Sequence, residues 1–287
     1  MIVTVLAALL LFLQTPSPPP AMAELALTSH GARINGLVYL AEGTGPHPVV
    51  LFLHGYPGNE RNLDLAQAVR RAGYDAVFID YRGNWGSGGT FSFANSLGDV
   101  DDVLAWIRSP EASAKYHFDT HRIAIFGHSF GGWLALMTGA HEQANVCVAA
   151  AAAWNVGWAA ARFADHPDER KSYVDDTTGY TAAGGPFHAS TSDLVAEITG
   201  HAAQWDYLGQ ASALKNHAVF LAAVSRDSID EDPAMHAKLA AALKQAGAAR
   251  VTNITFDDDH PFSAHRLELA DALVKWVRGD CKTSWNR

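Results

Sequence analysis

The chain has 287 residues, enough for one large domain or two small ones and for a substantial buried core. Its formal net charge is −9 and its basic residues form no block, which argues against nucleic acid or anionic membrane as a partner, because both reward clustered Lys and Arg. The 14 histidines are scattered, with no H-E-x-x-H and no Cys/His cluster, so no protein-built metal site is expected.

At the N-terminus, Ile2 to Leu13 is apolar except for Thr4, and a proline-rich stretch (Pro16, Pro18, Pro19, Pro20) leads to Ala21-Met22-Ala23. The run is shorter than the roughly 20 residues of a membrane-spanning helix. An apolar run before an A-x-A site reads as a secretory signal peptide over residues 1–23, cleaved after Ala23. The mature protein would be secreted or periplasmic, with no stable membrane association after processing. No Lys or Arg precedes the run, so an uncleaved anchor or a misassigned start is the competing reading. No cysteine lies near the site, which gives no support to a lipid anchor.

Residues 24–287 form the folded domain. Leu25 to Thr28 and Ile34 to Leu40 read as an antiparallel opening pair with Gly31 in the turn. Val49 to His54 is a continuous apolar strand, and Leu63 to Ala72 a helix ended by Gly73. Ala76 to Asp80 is the next strand, and Asp99 to Ile107 a helix stopped by Ser109-Pro110. Ile123 to Phe126 is a strand followed at once by a helix from Phe130; Val146 to Ala153, His217 to Val224 and Val251 to Phe256 are further strands, and Leu267 to Val277 an amphipathic helix.

Short continuous apolar strands separated by helices predict an α/β fold, a mostly parallel sheet with helices on both faces. Ligands bind such sheets at the carboxyl ends of the strands. His54, Asp80, Ser129, Trp154, Asp227 and His260 all fall at such ends. Trp154 to Leu214 breaks the alternation and is too long for a structureless connection, so it is expected to be a small cap inserted after the sixth strand, with Thr177 to Pro186 as a loop. A peripheral elaboration without substrate contact is the alternative. Of the two cysteines, Cys147 falls near the start of a strand and Cys281 past the final helix. They could pair in an oxidising compartment, but a buried free Cys147 is the expectation, since sequence does not set Cα separation.

The run Gly127-His128-Ser129-Phe130-Gly131 lies between a strand and a helix, the setting in which G-x-S-x-G lifts a serine hydroxyl above the sheet. A serine hydroxyl needs a base to take its proton and a third group to orient the base. Asp227 follows one late strand and His260 the last, giving the chain order Ser, Asp, His. Asp230, Glu231 and Asp232 are better explained as the acidic start of a helix opened by Pro233, and His265 as facing solvent. His30, His47, His117, His121, His166, His188, His201 and His236 are read as surface residues. An oxyanion needs N–H donors; Phe130 at a helix N-terminus and Tyr56, next to the N–H-lacking Pro57, are the candidates. Trp85, Trp133, Trp154 and Trp158 are candidate aromatic walls.

From about Leu25 to Trp276 the chain resembles an α/β hydrolase. His54-Gly-Tyr-Pro-Gly, Asp80-Tyr-Arg-Gly-Asn-Trp-Gly, Gly127-His-Ser-Phe-Gly-Gly and Asp259-His-Pro-Phe-Ser are similar to prolyl-oligopeptidase-type and dienelactone-hydrolase-type catalytic domains. The resemblance implies an eight-stranded sheet, a Ser129–Asp227–His260 triad and hydrolysis through an acyl-enzyme without cofactor. Too few residues precede Leu25 for the propeller that gates peptide entry in the oligopeptidases, and no paired glutamates for a substrate amine are seen. The expected activity is therefore hydrolysis of small or medium acyl esters, with a serine peptidase or amidase acting on short peptides second. An inactive binding protein on a hydrolase fold is the alternative of another class.

Overall fold

The computed structural model describes residues 17–142, 146–227 and 232–285. The apolar run Ile2 to Leu13, read above as a leader, lies outside them, as do Asp230, Glu231 and the side chain of Asp232. The strands are β1 (Ala21–Ser29), β2 (Ala32–Leu40), β3 (His47–Leu53), β4 (Asp75–Ile79), β5 (Phe118–His128), β6 (Cys147–Ala151), β7 (Val219–Val224) and β8 (Val251–Phe256). The helices are α1 (Leu63–Arg71), α2 (Phe93–Ile107), α3 (Pro110–Tyr116), α4 (Phe130–His141), α5 (Val156–Arg162), α6 (Pro167–Thr181), α7 (Thr191–Gly200), α8 (Ala211–Leu214), α9 (Asp232–Gln245), α10 (Arg266–Trp276) and α11 (Lys282–Trp285). None of them, among the described residues, is long and apolar enough to cross a membrane.

The strands form one eight-stranded sheet in the order β1-β2-β4-β3-β5-β6-β7-β8. The opening pair β1–β2 and the pair β2–β4 are antiparallel, and all other neighbours are parallel. Because side chains alternate across a strand, each central strand feeds two cores. Val49, Leu51 and Leu53 of β3 join Ile123 and Ile125 of β5 beneath α2, α4 and α9. Val50, Phe52, Ala124 and Phe126 face α1 and α10 on the other side. A sheet buried on both faces must be apolar on both, which is why these strands read as continuous apolar runs.

Chain order reverses at β3: β4 lies on one side of it and β5 on the other. Such a switch opens a crevice beyond the strand ends. Leu53 of β3 stands opposite Gly127 of β5, so the segments that follow, Gly55-Tyr56 and Ser129, meet across that crevice.

Several expectations are corrected. Helix α2 starts at Phe93, six residues earlier than Asp99, because the Ser92 hydroxyl accepts from Asn95 N–H at 3.0 Å and caps it. Ser109-Pro110 stops one helix but starts another: the Ser109 hydroxyl accepts from Ala112 N–H and Pro110 sits in the first turn of α3. In the segment expected to be a loop, Thr177 to Thr181 are helical, and the loop begins only at Ala182.

The cysteines are not free thiols. Cys147 and Cys281 form a disulfide with Cα atoms 5.6 Å apart. Helix α10 crosses the sheet face and delivers Cys281 to the foot of β6, where both residues are buried among the side chains of the α1–α10 core. That path is a tertiary fact, invisible in the spacing of the two residues.

Candidate active site

Strand β5 ends at His128, and the chain turns at Ser129 with φ 57° and ψ −121° before entering α4. This backbone conformation is unfavourable for a residue with a side chain and must be enforced by its surroundings. A Cβ on Gly127 would strike the Gly131 carbonyl, and one on Gly131 would strike the Leu53 carbonyl. Both obstacles are backbone, so the two glycines are what allow the turn to close on β3. The Ser129 N–H donates to Ala151 O at 2.9 Å, and its carbonyl accepts from Gly132, Trp133 and Trp154 N–H, which ties the turn to β6 as well.

Ser129 lines a pocket of about 400 Å³ together with His260, His128, the 55–60 loop, and Trp154, Tyr173, Asp176 and Tyr180 of the cap. Gly55 is so close to the serine that a Cβ there would lie 3.1 Å from the Ser129 Cβ. Phe130 opens α4 directly after the serine, and Tyr56, in the segment that follows β3, lines the same pocket.

His260 Nδ1 donates to Asp227 Oδ2 at 2.8 Å, and the Asp227 carboxylate is wholly buried. His260 and Asp227, paired in expectation from their places in the chain order, are thus in contact. Ser129 and His260 share the pocket without a direct hydrogen bond between them among the described residues.

The loop carrying His260 is held by Asp258, whose carboxylate accepts from the N–H groups of Asp259, Ala264 and His265 and from the His265 ring at 3.0 Å. Burial works against that charge, but the hydrogen bonds outweigh it and hold the carboxyl down to about 2. His265, expected in solvent, is thus half-buried and turned to Asp258.

His128 lies against His260, ring centroids 4.8 Å apart, and its Nε2–H donates to His260 O at 2.9 Å. Burial, with His260 next to it, pushes His128 down to about 3 and keeps it neutral. Beneath the 55–60 loop, His54 is likewise driven down to about 3 by burial; its Nδ1–H donates to Gly55 O at 2.8 Å. Its Nε2 faces Asp80 Oδ1 at 3.6 Å, and burial lifts Asp80 to about 6 against the pull of Arg61.

The remaining sequence candidates divide. Trp154 lines the pocket. Trp133 does not: it is wholly buried, its Nε1–H donates to Trp205 O at 2.8 Å, and it belongs to the core. Trp85 stands outside the pocket, its Nε1–H donating to Pro57 O at 2.8 Å while Arg61 lies over its ring, so it braces the loop. Trp158 is half-buried beneath Arg162 and also lies off the pocket. His236, read as a surface residue, is wholly buried: its Nε2 accepts from Ala153 N–H at 3.2 Å, and burial drives it down to about 3.

Sequence reading missed Tyr173, Asp176 and Tyr180. Their spacing places them, with Thr177, on one face of α6. The signal was present, but the helix is so polar that the stripe does not stand out.

A family model described as the alpha/beta hydrolase family matches residues 50–274. Over 93 residues the chain is 34% identical to a lysophosphatidylserine lipase, ABHD12, of Bos taurus, covering 31% of this chain and 21% of that protein. Over 176 residues it is 27% identical to dipeptidyl peptidase 8 of Homo sapiens, covering 53% of this chain and 19% of that protein. The chain thus spans about a fifth of the length of these curated relatives. A solved structure of a fungal esterase from Rhizomucor miehei superposes with a TM-score of 0.64 at 16% identity, covering 93% of this chain and 86% of that one.

Proposed function

The chain belongs to the alpha/beta hydrolase family, and from that premise we propose that it is a serine hydrolase cleaving carboxylic esters of small or medium acyl groups. The observation that carries the reading is a serine held at positive φ in the same pocket as a histidine bonded to a buried aspartate. In the reaction, Ser129 Oγ attacks the ester carbonyl carbon while His260 Nε2 takes the hydroxyl proton. Asp227 fixes the imidazole so that Nε2 is the free nitrogen and offsets the charge that develops on the ring. The oxyanion accepts from Phe130 and Tyr56 N–H. Collapse of the intermediate breaks the ester C–O bond, and His260 returns the proton to the departing alcohol. Water then attacks the acyl-Ser129 carbonyl by the same sequence, releasing the acid and regenerating the serine.

The esterase reading is favoured over peptide cleavage because an amide leaves only with accurate proton delivery, whereas an activated ester leaves with little help. The extended similarity to dipeptidyl peptidase 8 supports amide cleavage as the second reading. Fluorophosphonate should label the wild type but not Ser129→Ala, and short p-nitrophenyl esters should be turned over faster than aminoacyl anilides. Labelling of Ser129→Ala removes the nucleophile assignment, and a kcat/KM higher for a dipeptide anilide than for every ester reverses the order of the two readings.

Export belongs to the same proposal, with residues 1–23 as a cleaved leader. The disulfide supports it, since disulfides persist in oxidising compartments. Strand β1 begins at Ala21, so cleavage after Ala23 leaves Glu24 to Ser29 to pair with β2. Mass spectrometry of protein from the native host should find Glu24 as the first residue; intact Met1 to Ala23 on active protein rejects it.

A further inference from the structure

Helix α6 has 15 residues and a strongly polar sequence, and Thr177 is its only buried residue. That residue is wholly buried, and its Oγ1 lies 3.0 Å from the Tyr56 hydroxyl. Tyr56 is the residue whose N–H the proposed mechanism uses for the oxyanion. Its ring sits among Phe187 at 4.7 Å, Tyr180 at 5.5 Å, Phe93 at 5.8 Å and Trp154 at 5.9 Å, but apolar packing fixes a ring less sharply than a directional bond. One residue on, Pro57 O accepts from Trp85 Nε1–H, and on the other side Gly55 O accepts from His54 Nδ1–H. The loop is therefore pinned before and after Tyr56 by the sheet side, while at Tyr56 itself the ring packs partly on Phe93 and Phe130 of the body and the hydroxyl takes its hydrogen bond from the cap.

We infer that Thr177 is a positioning residue: through the Tyr56 hydroxyl, the cap helix sets the place of the Tyr56 N–H and hence the strength of the oxyanion site. The same face of α6 carries Tyr173, Asp176 and Tyr180 into the pocket. Substrate pressing on that face acts on the helix that holds Tyr56, so binding in the cap and stabilisation of the oxyanion are mechanically joined. The inference rests on the proposed hydrolase mechanism.

Thr177→Val keeps the shape and removes the bond from one side; Tyr56→Phe removes it from the other. With p-nitrophenyl acetate, each should lower kcat about tenfold, part of the roughly 10²–10³ lost when a whole oxyanion donor is removed. KM should change little, because the oxygen is held tightly only in the transition state. Thr177→Ser should restore kcat, and the double variant should be no slower than either single one, since both delete the same contact. Wild-type kcat in Thr177→Val, a loss confined to KM, or additive losses in the double variant would overturn the inference. If Thr177→Val does not fold, Tyr56→Phe carries the test. Active Ser129→Ala would instead bring down the mechanism beneath it, whereas inactive Ser129→Ala beside an unimpaired Thr177→Val refutes the coupling alone.

Discussion

Reducing the Cys147–Cys281 bond should cost the protein a large part of its stability while leaving the chemistry intact. The two residues are separated by 134 positions, and closing a loop of that size removes about 5 kcal/mol of conformational freedom from the unfolded chain at 25 °C. Domains of ordinary stability have about 5–15 kcal/mol in total, so the bond supplies a third or more. With a urea slope of about 3 kcal/mol per molar, the unfolding midpoint should fall by about 1.7 M in dithiothreitol. Activity measured well below that midpoint should not change, because the bond lies at the foot of β6 and Ser129 beyond the opposite end of β5. Thiol titration of the unreduced, denatured protein should detect no free cysteine. Two titratable thiols, or a midpoint shift below about 0.3 M, would refute the reasoning.

Three further outcomes follow from particular residues. Asp227→Asn should lower kcat by about 10⁴, because an amide cannot hold His260 in the required tautomer, with melting little altered; a loss under tenfold would remove Asp227 from the machinery. Asp75 is wholly buried, and burial lifts its carboxyl to about 7 although Ala41 N–H donates to it at 2.8 Å. A carboxyl raised in the folded state favours folding while protonated and costs stability as pH rises from about 4 to 7, by up to about 4 kcal/mol for a shift of this size. Asp75→Asn should thus gain stability over the wild type through that window and hold the gain above it; denaturation curves showing a pH-independent difference would contradict this. Gly131→Ala should abolish both soluble expression and activity, since its Cβ meets the Leu53 carbonyl; a soluble, active variant would show that the turn has room.

The parts of the fold and site that could be read in the sequence are those set by local rules. Strand β3 announces itself because burial on two faces leaves no polar position from Val49 to Leu53. The Ser129 turn is legible because two glycines are forced by backbone collisions, and His260 and Asp227 because each follows a strand and so reaches the same sheet end. What was misread depends on where distant segments cross. Trp133 looked like a pocket wall until its indole N–H found the Trp205 carbonyl, 72 residues away. His236 passed for a surface residue because its partner, the Ala153 N–H, comes from 83 residues earlier. The disulfide required the path of α10, and the pocket face of α6 was masked by the acids and threonines around it.

The shallow seating of α6 separates two kinds of change. A core helix such as α4, with nine buried residues, accepts substitution only at a cost in folding. Helix α6 gives one buried residue to the body of the protein, and its Tyr173 and Tyr180 pack on the Tyr56 ring, so of its pocket residues the exposed Asp176 is the one that can be rewritten almost as a surface position while still touching whatever occupies the pocket. Drift or directed evolution can therefore alter the pocket at position 176 at little expense to the scaffold, provided that Tyr173, Thr177 and Tyr180 are left in place.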